Sequence, residues 1–286
     1  MTASELTTEY TVEEQVISVL TEIYRGEVIA VGATASAEIA VRLAKALYAP
    51  EVVLMAGGSM AGYDSDWAPK GLNDEWIGRS SSLRGSDWIE TFDLIAAGKY
   101  AICMGPVQVD QYGNCNISVL GDWHSPKVQL IGSRGIPDDQ ARLKELTYHV
   151  RNHNPRSVVA QVDFRSGIGY GPGRAESGLA NGDIRMLVTN LGVFDFDRDG
   201  RGMRIRSLHA GVTVDDVQAA SGFEVLVPEG EVPRTAPPTQ EELLWIRGRI
   251  DPLGVRRLDS PTAQPNLLLE IAERERDLWT TRGVLR

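Results

Sequence analysis

The residues able to carry chemistry in this 286-residue chain are few and scattered. It holds four histidines and two cysteines. Cys103 and Cys115 form no CxxC pair, so neither a disulfide framework nor a zinc site is expected, and both read as small buried apolar residues. His149 and His153 are spaced i, i+4 but lie in a basic, polar stretch around Arg151 and Asn152, with no third ligand near them for a metal. His124, in Asp122-Trp-His-Ser-Pro126, reads as a surface residue beside a hairpin, with general-base work as the alternative. His209 follows a strand and is expected to hydrogen-bond locally. Ser59 lacks a nucleophile elbow, because Ala61 stands where Gly-x-Ser-x-Gly requires its second glycine. The alternation Asp195, Asp197, Asp199 has a cation-loop look, yet Gly200 comes too early for an EF-hand and no glutamate closes the set, so it reads as a solvated turn. No catalytic residue set is complete.

What the chain offers instead is glycine at the ends of apolar runs. Val52 to Ala56 reads as a buried strand that stops at Gly57-Gly58-Ser59. In open α/β sheets ligands bind outside the carboxyl ends of the strands, which makes Gly57, Gly58 and Ser59 candidate site residues. A long irregular stretch follows to residue 86, with Tyr63, Trp67 and Trp76 in it; a loop of that length is usually functional. Gly132-Ser-Arg-Gly135 is a strand-to-helix turn of the kind that presents backbone N–H groups to an oxyanion or phosphate.

The elements that must position these residues alternate. Thr11 with Glu14 forms a capping box for a helix carrying Val16, Val19, Leu20 and Ile23, ended near Gly26. A strand over Val28 to Val31, a helix after Thr34 and the strand at Val52 come next. Trp88, Phe92, Ile95 and Ala96 mark the apolar face of a helix, and Tyr100 to Met104 another strand. Asp110 to Asn114 reads as a hairpin turn. Further strands are expected at Val128 to Ile131, Val158 to Val162, Met186 to Phe196, Met203 to Leu208 and Glu224 to Val227, with helices from about Asp138, at Val214 to Ala220, after Thr239, and from Leu267. Such alternation predicts an α/β fold with a mainly parallel sheet covered on both faces. The expected organisation is one domain over residues 1–254 followed by a C-terminal extension over 255–286.

Composition narrows the function. A formal net charge of −10 argues against a nucleic-acid binder and against an anionic membrane surface. No stretch approaches the roughly 20 apolar residues of a membrane span, and Met-Thr-Ala-Ser-Glu-Leu does not open like a secretory signal. A cytoplasmic protein is expected.

Several stretches resemble the β subunits of family I coenzyme A transferases. They are Gln108-Val-Asp-Gln-Tyr-Gly-Asn-Cys-Asn-Ile-Ser118, Gly121-Asp-Trp-His-Ser-Pro-Lys-Val128 with the Gly132 turn, Leu191-Gly-Val-Phe-Asp-Phe196, Ser207-Leu-His-Ala-Gly-Val212, Ser221-Gly-Phe223 and Ile250-Asp-Pro-Leu-Gly254. The resemblance runs from about residue 11 to 254. It implies an open three-layer α/β/α sandwich working with an α subunit as a heterodimer or α2β2 heterotetramer. In that family the strand equivalent to Val52–Ala56 ends on a glutamate that carries coenzyme A as a thioester. Here Gly57 takes its position, with no carboxylate at Ala56 or Gly58. Glycine cannot form the covalent intermediate. The combination resembles the actinobacterial steroid ring-cleaving hydrolases of the family, in which the α subunit supplies the catalytic glutamate. This implies that water opens a cyclohexenone bearing a CoA thioester, with coenzyme A present only as part of the substrate and no separate cofactor. The resemblance adds Gln108, Asn114 and Arg134 to the candidate substrate-binding residues, Arg134 being placed to reach a carboxylate or the CoA phosphates. The alternatives are a transferase β subunit for another acyl group and a non-catalytic scaffold subunit.

Overall fold

In a computed structural model of the chain, the described residues are 9–26, 29–55, 71–72 and 88–281. Gly57, Gly58 and Ser59 lie outside them. The chain divides into two compact units, Met1–Phe92 with Pro237–Arg286, and Asp93–Ala236.

The first unit begins with α1 (Val12–Thr21), set by the capping box: Glu14 N donates to Thr11 Oγ1 at 3.3 Å and Thr11 N to Glu14 Oε2 at 3.0 Å. A 3-10 turn carries the chain to β1 (Ile29–Gly32). Gly32 has no side chain because a Cβ there would fall on the Glu38 amide. Thr34 caps α2 (Ala35–Leu47), whose Ile39, Leu43 and Ala44 are buried. The chain then enters β2 (Val53–Met55), parallel to β1 with Ile29 opposite Val53 and Val31 opposite Met55. After residue 236 the chain adds α6 (Gln240–Trp245), capped by Thr239 as expected and continued by one π-helical turn to Ile250. A 3-10 turn at Val255–Asp259 and α7 (Leu267–Thr281) follow. Leu253, Val255, Leu267 and Ile271 share one buried cluster with Ala35 and Leu72 against it.

An ion-pair network holds this unit's ends together. Arg247 grips the fully buried Glu14 with two hydrogen bonds of 2.7 Å, and Arg256 bridges Glu14 Oε1 at 3.0 Å and Asp251 Oδ2 at 2.8 Å. Burial pushes the Glu14 carboxyl up, but the hydrogen bonds from Arg247 and Thr11 and the two guanidinium charges together hold it below its ordinary range. Asp251 belongs to the Ile250-Asp-Pro-Leu-Gly254 stretch, whose role in this structure is therefore to tie residue 14 to the C-terminal part of the unit.

The boundary between the units falls within α3 (Trp88–Ala96), where Ile95 is buried while Phe92 and Ala96, expected on its apolar face, are exposed. The second unit holds five strands in the spatial order β12-β11-β10-β8-β3: β3 (Tyr100–Met104), β8 (Glu145–Val150), β10 (Asp183–Thr189), β11 (Gly192–Phe196) and β12 (Met203–Leu208). β8 lies parallel to β3 and β10, and β10-β11-β12 run antiparallel. Beside them stand a small sheet of β4 (Gln108–Asp110), β5 (Cys115–Asn116) and β9 (Val158–Val159), and a hairpin of β6 (Val119–Asp122) and β7 (Ser125–Gln129). The helices are α4 (Ile136–Arg142) and α5 (Val214–Ala220).

Several expectations are corrected. Glu145–Val150 is a central strand, although Thr147, Tyr148 and His149 give it no apolar run; all three are buried between parallel neighbours. His149 is on this strand and His153 lies beyond its end. The stretch Met186–Phe196 is two strands, turning at Asn190-Leu191. The strand expected at Val128–Ile131 starts earlier, at Ser125, and ends at Gln129. Only Val158 and Val159 of the expected Val158–Val162 form a strand, and Glu224–Val227 contributes only an isolated bridge from Leu226 to Arg204. No described helix is long and apolar enough to cross a membrane.

Candidate functional site

In the second unit the site is built around the turn Gly132–Gly135, and the sequence motif Gln108–Ser118 is what holds that turn. The β4–β5 hairpin forms because Asp110 organises it. Its Oδ1 accepts from the amides of Tyr112 and Asn114, each at 3.0 Å, and its Oδ2 accepts from Asn114 Nδ2 at 2.8 Å. Gly113, at φ 82°, makes the corner; a Cβ there would strike Ile184. Burial nonetheless pushes the Asp110 carboxyl above its usual range, because desolvation outweighs these donors.

Asn114 and Gln108, both chosen from the sequence as substrate contacts, use their polar atoms inside the fold. Asn114 Oδ1 accepts from the Gly169 amide at 2.9 Å, and the backbone comes so close there that a Cβ on Gly169 would fall on Tyr112 O. Gln108 Oε1 accepts from Asp163 N at 3.0 Å and Asn116 Nδ2 at 2.8 Å, while its Nε2 donates to Asp163 Oδ2 at 3.2 Å. From there a polar chain runs outward. Asn116 Oδ1 accepts from Ser118 N at 2.9 Å, and Ser118 Oγ lies 2.8 Å from Ser166 Oγ and 3.2 Å from Ser133 Oγ. Gln108, Asn116 and Ser118 thus connect the sheet to Ser133, the residue before Arg134. Ser118, Ser133 and Ser166 were not picked out by sequence reasoning; the Asn116-Ile-Ser118 spacing was the available signal.

Arg134 sits at φ 49°, the left-handed region that a branched-out side chain adopts at a cost on the order of 1 kcal/mol. It is exposed, and no described residue pairs with its guanidinium. The following Gly135 has φ −80° and ψ −6°. A left-handed residue next to a right-handed one turns successive amides to one side, the geometry of an anion nest. Among the described residues the amides of Ser133, Arg134 and Gly135 have no acceptor. Chemically, this turn can hold an oxyanion.

Asp139 stands one helical turn on, 4 % exposed, with its Oδ2 only 3.3 Å from where a Cβ on Gly135 would be. Burial, and secondarily the neighbouring Asp138 charge, push its carboxyl up to about 7. Sequence reasoning took these acids only as a helix start. A buried carboxyl beside an anion nest matters, because ionised it opposes whatever anion the turn holds.

The remaining titratable residues serve the fold. His153 is 4 % exposed: Ser221 Oγ donates to Val217 O at 2.8 Å and must therefore accept from His153 Nε2 at 2.9 Å, which leaves Nδ1 to accept from Thr189 Oγ1 at 3.1 Å. Burial holds this neutral ring down to about 4. His209, fully buried, donates Nε2–H to Thr189 O at 2.9 Å and is likewise held at about 4 by burial. Its partner is local in space and distant in sequence. His124 is exposed at the hairpin tip, as the sequence suggested. Cys103 and Cys115 are buried and unbridged, and burial pushes the Cys115 thiol up to about 12, which removes it as a nucleophile. Asp197 closes its turn by accepting from the Asp199 amide at 3.0 Å and from Arg201 Nη2 at 2.6 Å.

A family model described as coenzyme A transferase matches residues 13–220, so α6 and α7 lie beyond the matched span. The chain is 36% identical over 243 residues to the cholesterol ring-cleaving hydrolase IpdB subunit of Mycobacterium tuberculosis, covering 82% of this chain and 92% of that protein. It is 32% identical over 261 residues to the IpdB subunit of Rhodococcus jostii, covering 88% and 97%. The crystal structure of Rhodococcus jostii RHA1 IpdAB superposes with a TM-score of 0.74 at 29% identity, over 89% of this chain and 100% of that one. Glutaconate coenzyme A-transferase from Acidaminococcus fermentans shares the fold, with a TM-score of 0.71 at 23% identity, over 86% of this chain and 96% of that one. The expected α/β sandwich is the fold this chain has.

Proposed function

The chain belongs to the coenzyme A transferase family, and on that premise we propose that it is the β subunit of a heteromeric hydrolase that opens the last ring of a degraded steroid, carried as a CoA thioester. The reaction converts a cyclohexenone carboxyl-CoA to a dioxo-dicarboxylyl-CoA. The observation that carries this reading is the missing nucleophile: Val52–Ala56 leads into Gly57 and Gly58 with no carboxylate in the family's position. A chain without that glutamate leaves the thioester intact and leaves room for a ring.

Water adds to the β carbon of the enone, the bond between that carbon and the α carbon breaks as the new hydroxyl becomes a ketone, and the released α carbon takes the proton, so that both hydrogens of the water end on it and the ring ketone is kept. A carboxylate of the α partner serves as base. The amides of Ser133, Arg134 and Gly135, which have no acceptor among the described residues, suit the oxyanion that develops at the ketone oxygen. Arg134 serves to reach a carboxylate or phosphate of the substrate; Gly57, Gly58 and Ser59 remain candidates from the sequence alone. Gln108 and Asn114 support this arrangement from behind. Coenzyme A enters as part of the substrate, with no further cofactor. The protein works in the cytoplasm with its α partner, as an α2β2 assembly.

The test is to purify the two-subunit complex and give it the cyclohexenone-CoA. Mass spectrometry should find a thioester that has gained one water. Transfer of coenzyme A to an acceptor acid, or a glutamyl-CoA thioester trapped with borohydride, overturns the reading in favour of a transferase.

A further inference from the structure

We propose that the β6–β7 hairpin holds the nucleotide end of the CoA thioester, the open face of Trp123 taking the adenine ring and Lys127 a phosphate. Trp123 stands at the hairpin tip, 54% exposed, and stacks on the half-buried Phe164 with ring centroids 4.6 Å apart and planes 22° from parallel. One face of the indole is thereby fixed and the other left to solvent. Gly121 N donates to Asp163 Oδ2 at 2.8 Å, which ties β6 to the residue before Phe164. Asp122 Oδ1 closes the tip by accepting from the amides of His124 at 2.8 Å and Ser125 at 3.2 Å. Leu120 pairs with Val128 and Gly121 with Pro126, so Lys127 is the unopposed residue of a β-bulge. A bulge re-aims the side chain it carries. The Lys127 stem crosses Gly121, where a Cβ would come within 3.2 Å of Lys127 Cγ. Lys127 is exposed, and no described residue pairs with its ammonium.

The hairpin and the anion-holding turn hang from one residue. Gln108 holds Asp163 beside the aromatic pair and, through Asn116 and Ser118, holds Ser133 beside the turn. The base of the hairpin closes on the same serine, since Leu130 N donates to Ser118 O at 2.9 Å. The four residues of β6, at about 3.3 Å each, set Trp123 about 13 Å from Ser118. A ligand recognised at both places must be long, with a flat ring at one end, an anionic group beside it and a developing oxyanion at the other. An adenine nucleotide joined to a thioester by a pantetheine arm has that form. An aromatic face next to an unpaired ammonium suits a ring that carries phosphate, whereas a protein surface docking there would leave the cation buried without a partner. The inference rests on the CoA-thioester reading above and assigns that substrate's nucleotide end.

The experiment uses the intact complex with Trp123→Ala, the conservative Trp123→Phe and Lys127→Ala. By calorimetry, acetyl-CoA and adenosine 3′,5′-bisphosphate should each bind Trp123→Ala about tenfold more weakly, with Trp123→Phe recovering most of the loss. Lys127→Ala should weaken both by about threefold and make binding less sensitive to salt. KM for the cyclohexenone-CoA should rise about tenfold in Trp123→Ala, against less than about twofold for the pantetheine thioester of the same acid, which lacks the nucleotide. Unchanged acetyl-CoA affinity in both Trp123→Ala and Lys127→Ala overturns the subsite, and so does an equal rise in KM for the two thioesters. Loss of the α partner from Trp123→Ala in sedimentation, with acetyl-CoA affinity of the remaining complex unchanged, overturns it in favour of a subunit contact. A wild-type complex that binds acetyl-CoA through Trp123 and opens no ring would sink the hydrolase reading and leave the subsite standing.

Discussion

The two units bury polar groups in opposite ways. The first unit buries formal charges and pairs them: Glu14 and Asp251, both inaccessible, are held by Arg247 and Arg256. The second unit buries neutral groups around its site, the amides of Gln108, Asn114 and Asn116, the hydroxyls of Ser118 and Ser166, and the uncharged rings of His153 and His209. Charged pairs make a fastener that is costly to half-remove, because the surviving ion is left in a medium that solvates it poorly. Neutral networks set geometry at a smaller cost per bond and leave no competing charge beside a turn meant for an anion. Of the second unit's buried carboxyls, Asp110 and Asp197 are met by several donors; the exception is Asp139, which has no donor among the described residues and whose carboxyl burial raises to about 7, so that it is about half protonated at neutral pH.

The largest effect should come from breaking the charged fastener. Arg256→Met leaves the buried Asp251 without a guanidinium and Glu14 with Arg247 alone, and should lower the stability of the first unit by about 3–5 kcal/mol in a denaturant titration. A loss under about 1 kcal/mol would mean that water reaches both carboxylates and that the contrast between the units is smaller than their burial suggests.

Asp139→Asn tests the exception. Because the folded carboxyl is raised from 3.8 to about 7, the folded state holds its proton after the unfolded chain has lost it. Stability is therefore greatest below about pH 4 for this group and falls as pH rises toward 7. Asparagine removes that fall and should stabilise the second unit at pH 8 by on the order of 3 kcal/mol, with little change at pH 4. In the same variant, weakening of acetyl-CoA binding between pH 6 and pH 8 should flatten. A pH-independent stability difference would remove Asp139 from this account.

Gln108→Ala cuts the neutral chain at its base. It leaves Asp163 N and one of the two Asn116 Nδ2 hydrogens without an acceptor, the other still being held by Val119 O, a loss of about 2 kcal/mol by chemical denaturation. Turnover should fall further than stability alone would require, because Ser133 loses its support. Smallest in stability is Arg134→Gly, which relieves the left-handed backbone and should gain about 1 kcal/mol in melting experiments while acetyl-CoA binding weakens. Stabilisation with unchanged binding would assign Arg134 no ligand.

Much of the fold was legible. Thr11, Thr34 and Thr239 each cap the helix that the sequence assigned to them, because capping needs only residues three positions apart. Tyr100–Met104 and Val214–Ala220 match their expected bounds for the same reason, a periodic run between local stop signals. β8 was missed because its burial comes from two neighbouring strands and so leaves no alternation to read. At the site, the Gly132–Gly135 turn was legible from its glycines, whereas the roles of Gln108 and Asn114 were not: an amide in a motif looks the same whether it faces a ligand or the backbone of Asp163 and Gly169.

The sequence by itself determined that this protein carries no nucleophile at Gly57, that its helices start where they are capped, and that its motifs are those of a coenzyme A transferase scaffold. These are properties of neighbouring residues or of bare residue identity, and no packing can put a carboxylate on a glycine. Only the tertiary structure decided that Gln108 supports Ser133, that Asp139 is buried, and that Glu275 meets Leu72 across 203 positions. Each of those depends on which surfaces are removed from water together, and that is fixed by the packing of segments whose local sequences carry no record of one another.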